Sequence, residues 1–368
     1  MSGKVGVGLI GCGKISDQYF VGCRRYDILE VVACADLDLA RARAKAAEHG
    51  VPRACTVAKL LADPAVDLVV NLTIPQAHTK VNARALRAGK HVYVEKPLAP
   101  DPAEGRRILA LATERGLLVG CAPDTFLGGG IQTARQLLDE GAIGRPISAM
   151  AFWLSRGHES WHPAPEFYYQ AGGGPMFDMG PYYLTALVAL FGRVKSVCGF
   201  ARRTFAERTI TSQPRAGTKF PVEVSTHYLG TLDFANGAIA SIAVSFDVVA
   251  FPLPRIVVYG TEGTLEVPDP NTFGGEVRLR RASEKEFATM PSTHSNDRGR
   301  GTGVADLAYS ILRRDRPVRA SGALASHVLE VMAACDRASA KERYVSIASA
   351  PERPAALPTG LGPNALDA

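Results

Sequence analysis

Near its start the chain has a short apolar run that leads directly into a glycine-rich turn. Residues 5–10 are Val, Gly, Val, Gly, Leu and Ile, and Gly11-Cys12-Gly13 follows them. A helical pattern then begins at once, which is typical of a buried parallel strand, a tight turn and a helix start. Gly11 permits the turn, and Gly13 lets the backbone approach a pyrophosphate closely. The segment predicts a dinucleotide site, and the alternative is a glycine turn in another α/β fold.

The next apolar strand, Leu29 to Ala35, is followed by a carboxylate. Asp36 lies close to the expected distance of about 20 residues beyond the glycine turn, where a carboxylate holds the adenosine ribose. Since a carboxylate repels a 2′-phosphate, we predict NAD as the cofactor. NADP stays possible because Arg41 and Arg43 follow closely. The alternative for Asp36 is a helix cap.

Strands and helices alternate through residue 122. The pattern predicts further strands at 67–73, 91–95 and 117–121, separated by helices at 79–88 and 101–115. Such alternation predicts a right-handed, doubly wound parallel sheet. The loop that starts at Ile74 lies at the carboxyl edge of this sheet, where open α/β folds bind ligands.

The pattern changes after residue 122, which predicts domains at 1–122 and 123–368. A mostly helical segment is predicted at 176–191, and two helices near 303–313 and 322–339 close the second domain. The segments that read as strands are 146–154, 194–204, 226–235, 238–248, 255–260, 264–267 and 276–281. Because hairpin signals such as Asn236-Gly237 join them, we predict an α+β domain with a mostly antiparallel sheet.

Composition excludes several classes of partner. The formal charge of +6 is spread thinly, without a basic, aromatic-interleaved patch, so we expect no nucleic-acid partner. No apolar run is long enough to span a membrane. The seven cysteines are odd in number and lack metal-site spacing, so we expect reduced thiols, no metal, and a cytoplasmic protein without a signal peptide.

Three motifs, in this order, carry a family resemblance. They are the glycine turn with Asp36, the run His91–Ala99 that contains Glu95-Lys96-Pro97, and Gly172-Gly173-Gly174 followed by Asp178-Met179-Gly180-Pro181-Tyr182. On these motifs the chain resembles the glucose-fructose oxidoreductase / inositol dehydrogenase (Gfo/Idh/MocA) family over nearly its whole length. The resemblance implies a Rossmann domain, a second domain with a large open-faced sheet, a cis Lys96–Pro97 bond, and a homodimer or homotetramer.

The resemblance also implies site residues. The cofactor would be bound by Gly11, Gly13, Lys14, Ile15, Asp36, Thr73, Ile74, Pro75, His78, Glu95 and Lys96. The catalytic residues would be Lys96, Asp178 and Tyr182, and the substrate would contact Trp161, His162, Asp178 and Tyr182. Many family members have histidine where this chain has Tyr182, although some have tyrosine. The ordinary tyrosine pKa of about 10 is high for a base, and a nearby ammonium such as that of Lys96 favours the phenolate.

The function that these residues predict is hydride transfer between NAD and a hydroxyl or carbonyl of a sugar, inositol or related polyol. Two other functions remain open: an NAD-dependent, redox-neutral glycosidase and a non-catalytic, NAD-binding sensor. Structural alternatives also remain: a surface lysine for Lys96, a helix cap for Asp178, and a core tyrosine for Tyr182. The aromatic residues of loop 157–174 either pack the loop or line a sugar site.

Overall fold

The structure is a computed structural model that describes residues 3–367. The chain divides into two compact units, Met1–Gln132 with Thr293–Leu329 and Pro354–Ala368, and Thr133–Ser292 with Glu330–Arg353. These units differ in extent from the predicted domains 1–122 and 123–368 because two later segments belong to the first unit. As domain boundaries, the predicted ranges stay a prediction.

The first unit contains a six-stranded parallel sheet with the strand order β3-β2-β1-β4-β5-β6. The strands are β1 (Val5–Ile10), β2 (Leu29–Ala35), β3 (Ala54–Cys55), β4 (Leu68–Asn71), β5 (His91–Val94) and β6 (Val119–Cys121). Every residue of β1, β4, β5 and β6 is buried, as expected for parallel strands covered on both faces. The predicted doubly wound sheet is confirmed, with its topological switch between β1 and β4.

Helices connect these strands, and two of them start at carboxylate caps. The helices are α1 (Ser16–Cys23), α2 (Leu39–Glu48), α3 (Val57–Ala62), α4 (Pro75–Arg87), α5 (Pro102–Glu114) and, passing into the second unit, α6 (Gly129–Asp139). Asp38 and Asp101 cap α2 and α5 with their carboxylates. The helix predicted at 79–88 begins four residues earlier, because Pro75 occupies the first helical turn, where its missing N–H costs nothing.

The second unit is built on a nine-stranded mixed sheet with the order β16-β15-β14-β13-β7-β12-β11-β8-β17. Only the β7–β12 pair is parallel, so the predicted mostly antiparallel sheet is confirmed. Its strands are β7 (Pro146–Leu154), β8 (Val194–Arg202), β11 (His227–Phe234), β12 (Ile239–Ser245), β13 (Ile256–Gly260), β14 (Gly263–Val267), β15 (Arg278–Arg281), β16 (Ala288–Thr289) and β17 (Val345–Ser346).

Besides the two-residue strands β16 and β17, which were not predicted, two features of the second unit depart from the sequence prediction. The segment at 176–191 forms two helices, α7 (Pro175–Asp178) and α8 (Gly180–Phe191), that break at Met179. Pro181 lacks an N–H, so it cannot continue the backbone hydrogen bonds across the break. A small hairpin, β9 (Glu207–Thr209) with β10 (Lys219–Pro221), was not predicted.

The remaining α-helices are α9 (Thr302–Leu312), in the first unit, and α10 (Gly322–Lys341), which spans both units in sequence. Among residues 3–367, none of the helices has the length and apolar character needed to span a membrane.

Candidate active site

The turn after β1 has the backbone geometry of a phosphate-binding loop. Gly11 has a φ of 102°, and a Cβ there would lie 2.7 Å from the Leu72 carbonyl oxygen, so only glycine fits. At Gly13 a Cβ would have no other heavy atom within 4 Å, which leaves the backbone open to a ligand. The Ser16 hydroxyl donates to the Gly13 carbonyl at 2.6 Å and ties the start of α1 to the turn.

Asp36 is held with its carboxylate at the end of β2. Its Oδ2 accepts a hydrogen bond from Cys12 N at 2.8 Å, and its Oδ1 accepts one from Asp38 N at 2.9 Å. Each carboxylate oxygen can accept a second hydrogen bond, so the group is suited to ribose hydroxyls. Arg41 Nη1 lies 3.6 Å from Asp36 Oδ1, and Arg41 Nη2 lies 3.7 Å from Asp38 Oδ2. The guanidinium of Arg41 therefore faces these two carboxylates.

A buried amide network shapes the loop between β4 and α4. Asn71 Oδ1 accepts hydrogen bonds from the backbone N–H and hydroxyl of Thr73, at 3.2 and 2.7 Å, and Asn71 Nδ2 donates to Asn82 Oδ1 at 2.8 Å. The loop thereby presents Ile74, whose side chain is 67% exposed although apolar. An exposed aliphatic residue at the carboxyl edge of the sheet fits the flat face of a nucleotide.

His78 lies beneath this loop rather than on its surface. Its Nδ1 is 2.7 Å from the Pro97 carbonyl oxygen, and its Nε2 is 2.9 Å from that of Thr73. Burial lowers the pKa of His78, and the contacts with the two carbonyl oxygens oppose this shift. Since both nitrogens face backbone carbonyls, the ring joins the Thr73 loop to the Pro97 loop.

The Glu95-Lys96-Pro97 tripeptide follows β5 directly. The Lys96–Pro97 bond is cis, as the resemblance implied. Glu95 Oε2 accepts a hydrogen bond from Lys96 N at 2.9 Å, and Glu95 Oε1 accepts one from the Tyr19 hydroxyl at 2.7 Å. These bonds, with the His78–Pro97 contact, hold the backbone of Lys96 in one conformation.

The first-unit candidates thus lie at the carboxyl ends of four neighbouring strands, β2, β1, β4 and β5. They are Gly11, Gly13, Lys14, Ile15, Asp36, Thr73, Ile74, Pro75, His78, Glu95 and Lys96. The open backbone at Gly13 and the oriented Asp36 carboxylate fit a dinucleotide. Asp178, Tyr182, Trp161 and His162 belong to the second unit.

Asp178 ends α7 and pairs with a histidine that the sequence analysis missed. His158 Nε2 lies 2.9 Å from Asp178 Oδ2, with side-chain exposures of 8% and 15%. The two residues are 20 positions apart in sequence, and no local spacing pattern links them. The only sequence signal was a histidine beside Gly157, four residues before the predicted His162.

Aromatic side chains of loop 157–174 pack around His158. The His158 ring centroid is 4.1 Å from that of Tyr168 and 5.2 Å from that of Trp161. His162 packs edge-on against Trp161 and Phe167, both at 5.3 Å, and its Nδ1 accepts a hydrogen bond from Ala164 N. Trp161 and Phe167 are nevertheless 54% and 50% exposed, so they offer aromatic surface to a ligand.

Tyr182 and Tyr183 follow the helix break and differ in environment. Tyr183 is fully buried, and its hydroxyl donates to Asp269 Oδ1 at 3.1 Å. Burial and the Asp269 charge raise the pKa of Tyr183 far above its ordinary value, so that phenol cannot act as a base at neutral pH. Tyr182 retains 6% exposure, in the first turn of α8.

One group within residues 3–367 has carboxylate and imidazole atoms close enough for a metal ion. It comprises Asp17, Glu48 and His49. The Lys45 ammonium lies 2.5 Å from Asp17 and 2.8 Å from Glu48, so a side-chain cation already neutralises these carboxylates. This ammonium lowers the pKa of Asp17.

The fold and the cofactor residues define an oxidoreductase with an NAD-binding Rossmann domain. Residues 5–122 match the family model described as "Oxidoreductase family, NAD-binding Rossmann fold", and residues 131–266 match the "GFO/IDH/MocA C-terminal domain". The chain belongs to the Gfo/Idh/MocA family of oxidoreductases.

Similar proteins of known name agree with this assignment. The 1,5-anhydro-D-fructose reductase of Ensifer adhaerens is 31% identical over 70% of this chain and 74% of its own length. The trans-1,2-dihydrobenzene-1,2-diol dehydrogenase of Bos taurus is 31% identical over 77% of this chain and 80% of its own. A levoglucosan dehydrogenase solved with NADH and L-sorbose shares the fold, with a TM-score of 0.81 at 22% identity over 94% of this chain and 99% of its own.

Proposed function

We propose that this enzyme transfers a hydride between NAD and a hydroxyl or carbonyl group of a sugar or closely related polyol. The observation that carries the proposal is the half-exposed aromatic surface of Trp161 and Phe167 in the same loop as His158, the partner of Asp178. Sugar rings stack their apolar faces on aromatic side chains, and their hydroxyls hydrogen-bond to carboxylates.

The proposed chemistry separates into a hydride and a proton. NAD, when bound, supplies the hydride acceptor. Tyr182 takes the proton from the substrate hydroxyl, and Asp178 accepts a hydrogen bond that orients the sugar. Lys96, on its immobilised backbone, supplies positive charge for the oxygen on which negative charge develops. These roles rest on the motif positions together with the geometry of each unit.

Relatives support a sugar substrate by their names. Besides the anhydrofructose reductase, a D-glucoside 3-dehydrogenase of Escherichia coli K12 is 29% identical over 67% of this chain and 71% of its own length.

The free thiols of all seven cysteines support the further proposal of a cytoplasmic location.

A substrate panel tests the proposed function. Aldoses, ketoses, anhydrosugars, glucosides and inositols are incubated with NAD or NADH, and absorbance of the reduced nicotinamide is followed. We expect at least one sugar to change the NADH band in proportion to product. Hydrolysis of a glycoside without a net change in NADH would support the redox-neutral glycosidase, and cofactor binding without any turnover would contradict enzymatic function.

Asp36 predicts a preference for NAD over NADP. A hydrogen bond to a charged group contributes about 1.5–3 kcal/mol, so we expect NAD to bind about tenfold or more tightly than NADP. Replacing Asp36 by asparagine should narrow this difference, because the amide does not repel the 2′-phosphate. The dissociation constants of both cofactors, measured by titration calorimetry, check the prediction. Tighter binding of NADP to the parent would contradict it.

The open face of the nine-stranded sheet predicts a homodimer or homotetramer. The strand register aligns Phe200, Leu229, Ala243 and Phe152 in one row across β8, β11, β12 and β7. Phe200 and Leu229 are 59% and 54% exposed. Such a contiguous apolar row on a sheet is an association surface. We propose that a second copy of this chain covers it.

Sedimentation at micromolar concentration tests this assembly. We expect the parent to be oligomeric and Leu229→Asp to shift the protein toward monomer. Ile147 provides a matched control, because it is 48% exposed but alternates to the other face of β7. Ile147→Asp should therefore leave the mass unchanged. A monomeric parent would contradict the proposed assembly.

A further inference from the structure

The His158 side chain is packed among several aromatic side chains. Its ring centroid lies 4.1 Å from that of Tyr168, 4.7 Å from that of Phe246 and 5.2 Å from that of Trp161. The Tyr168 and Phe246 contacts join it to the buried cluster of Tyr169, Ile210, Phe220, Val222 and Phe246. The ring therefore has little freedom to rotate.

The backbone around His158 is held as firmly as its ring. The His158 carbonyl accepts a hydrogen bond from His162 N at 2.9 Å. The next residue, Glu159, pairs with Arg208 at 3.1 Å, and Arg208 also pairs with Asp247. Arg208 belongs to the β9–β10 hairpin, so this hairpin braces the start of the aromatic loop. A braced loop keeps His158 Nε2 directed at Asp178.

The chemistry of the pair determines which atom donates. A carboxylate only accepts hydrogen bonds, so the imidazole nitrogen that faces Asp178 must carry the proton. Nε2 of His158 is thus the donor in this hydrogen bond. A charged acceptor strengthens this hydrogen bond relative to one between neutral groups.

We propose that His158 is a positioning residue for the reaction. By donating Nε2–H to Asp178, it fixes the direction in which that carboxylate accepts a hydrogen bond from the substrate hydroxyl. The aromatic side chains around His158 hold the imidazole so that this direction does not vary. The inference rests on the proposed function for its catalytic consequence, whereas the pairing itself depends only on the second unit.

Three substitutions separate hydrogen bonding from packing. His158→Phe keeps an aromatic ring but removes the donor. His158→Gln places an amide nitrogen near the position of Nε2. His158→Asn places one near the position of Nδ1, because the asparagine side chain is too short to reach Asp178. Because small misplacements of a reacting group are costly, we expect kcat to fall about 10²-fold in His158→Phe and His158→Asn. His158→Gln should retain most of the activity, and NAD affinity should be unchanged in all three.

The kinetic outcomes bear directly on the proposal. A parent-like kcat in His158→Phe would show that the histidine only packs the loop. Equal losses of kcat in His158→Gln and His158→Phe would show that a hydrogen-bond donor at the Nε2 position does not contribute to kcat. Thermal unfolding of each variant identifies losses that come from misfolding.

A measurement without substrate separates this inference from the proposed function. The ¹⁵N shifts of the imidazole ring report which nitrogen is protonated, and the His158 signals are assigned by their absence in His158→Gln. We expect the Nε2–H tautomer in the parent and a mixture of tautomers in Asp178→Ala. A parent with the proton on Nδ1 would overturn the inference. Absence of sugar turnover combined with the Nε2–H tautomer would overturn only the proposed function.

Discussion

Replacing Tyr182 by phenylalanine is expected to lower kcat about 10²–10⁴-fold, the usual loss when a positioned acid or base is removed. Phenylalanine keeps the ring and its packing in the first turn of α8 but cannot transfer a proton. Cofactor affinity should be nearly unchanged. Steady-state kinetics of the parent and the variant measure the effect.

The neighbouring tyrosine supplies the control for this prediction. Tyr183→Phe removes a buried hydrogen bond to Asp269, so it should lower the stability by about 1 kcal/mol and leave kcat close to the parent value. His162 is the rival acid or base, because an imidazole titrates near neutral pH. Full activity in Tyr182→Phe, together with a large loss of kcat in His162→Asn, would refute the assignment of Tyr182.

Replacing Lys96 by alanine is expected to reduce kcat about 10²–10³-fold or more, because a positive charge at the reacting oxygen is lost. NAD should still bind with similar affinity, since the turn at Gly13 and the Asp36 carboxylate are unchanged. Comparison of kcat with the NAD dissociation constant measures both effects.

A surface lysine of the same unit provides the matched control for Lys96. Lys59 is exposed on α3, and Lys59→Ala removes the same charge from a place outside the proposed site. We expect it to behave like the parent. Removal of one group that stabilises the transition state usually costs more than about tenfold in kcat. If Lys96→Ala keeps its activity within about tenfold of the parent, Lys96 is therefore only a surface lysine.

Much of the first unit could be predicted because its signals are local. An apolar run, a glycine turn and a carboxylate about 20 residues later occur in one stretch of chain and report directly on a βαβ unit. The position of Asp36 at the end of β2 and the start of α5 at Pro102 follow from such local patterns. The start of α4 was placed too late because Pro75 resembles a loop residue as much as a first helical residue.

The parts that could not be predicted depend on contacts between distant residues. The pairing of His158 with Asp178 and that of Arg208 with Glu159 join segments 20 and about 50 residues apart, and neither leaves a periodic signature. The β9–β10 hairpin has strands of three residues each, too short for an alternating pattern to be recognised. Its stability comes from packing on the aromatic loop rather than from propensity.

Deuterium transfer tests the central claim most directly. A sugar that the panel identifies as a substrate is prepared with deuterium on the carbon that is oxidised and is incubated with NAD and the enzyme. We predict that the deuterium appears on the nicotinamide ring of the NADH formed, in equal amount to the oxidised sugar. Product formation with the deuterium in solvent or retained on the sugar would contradict hydride transfer to NAD.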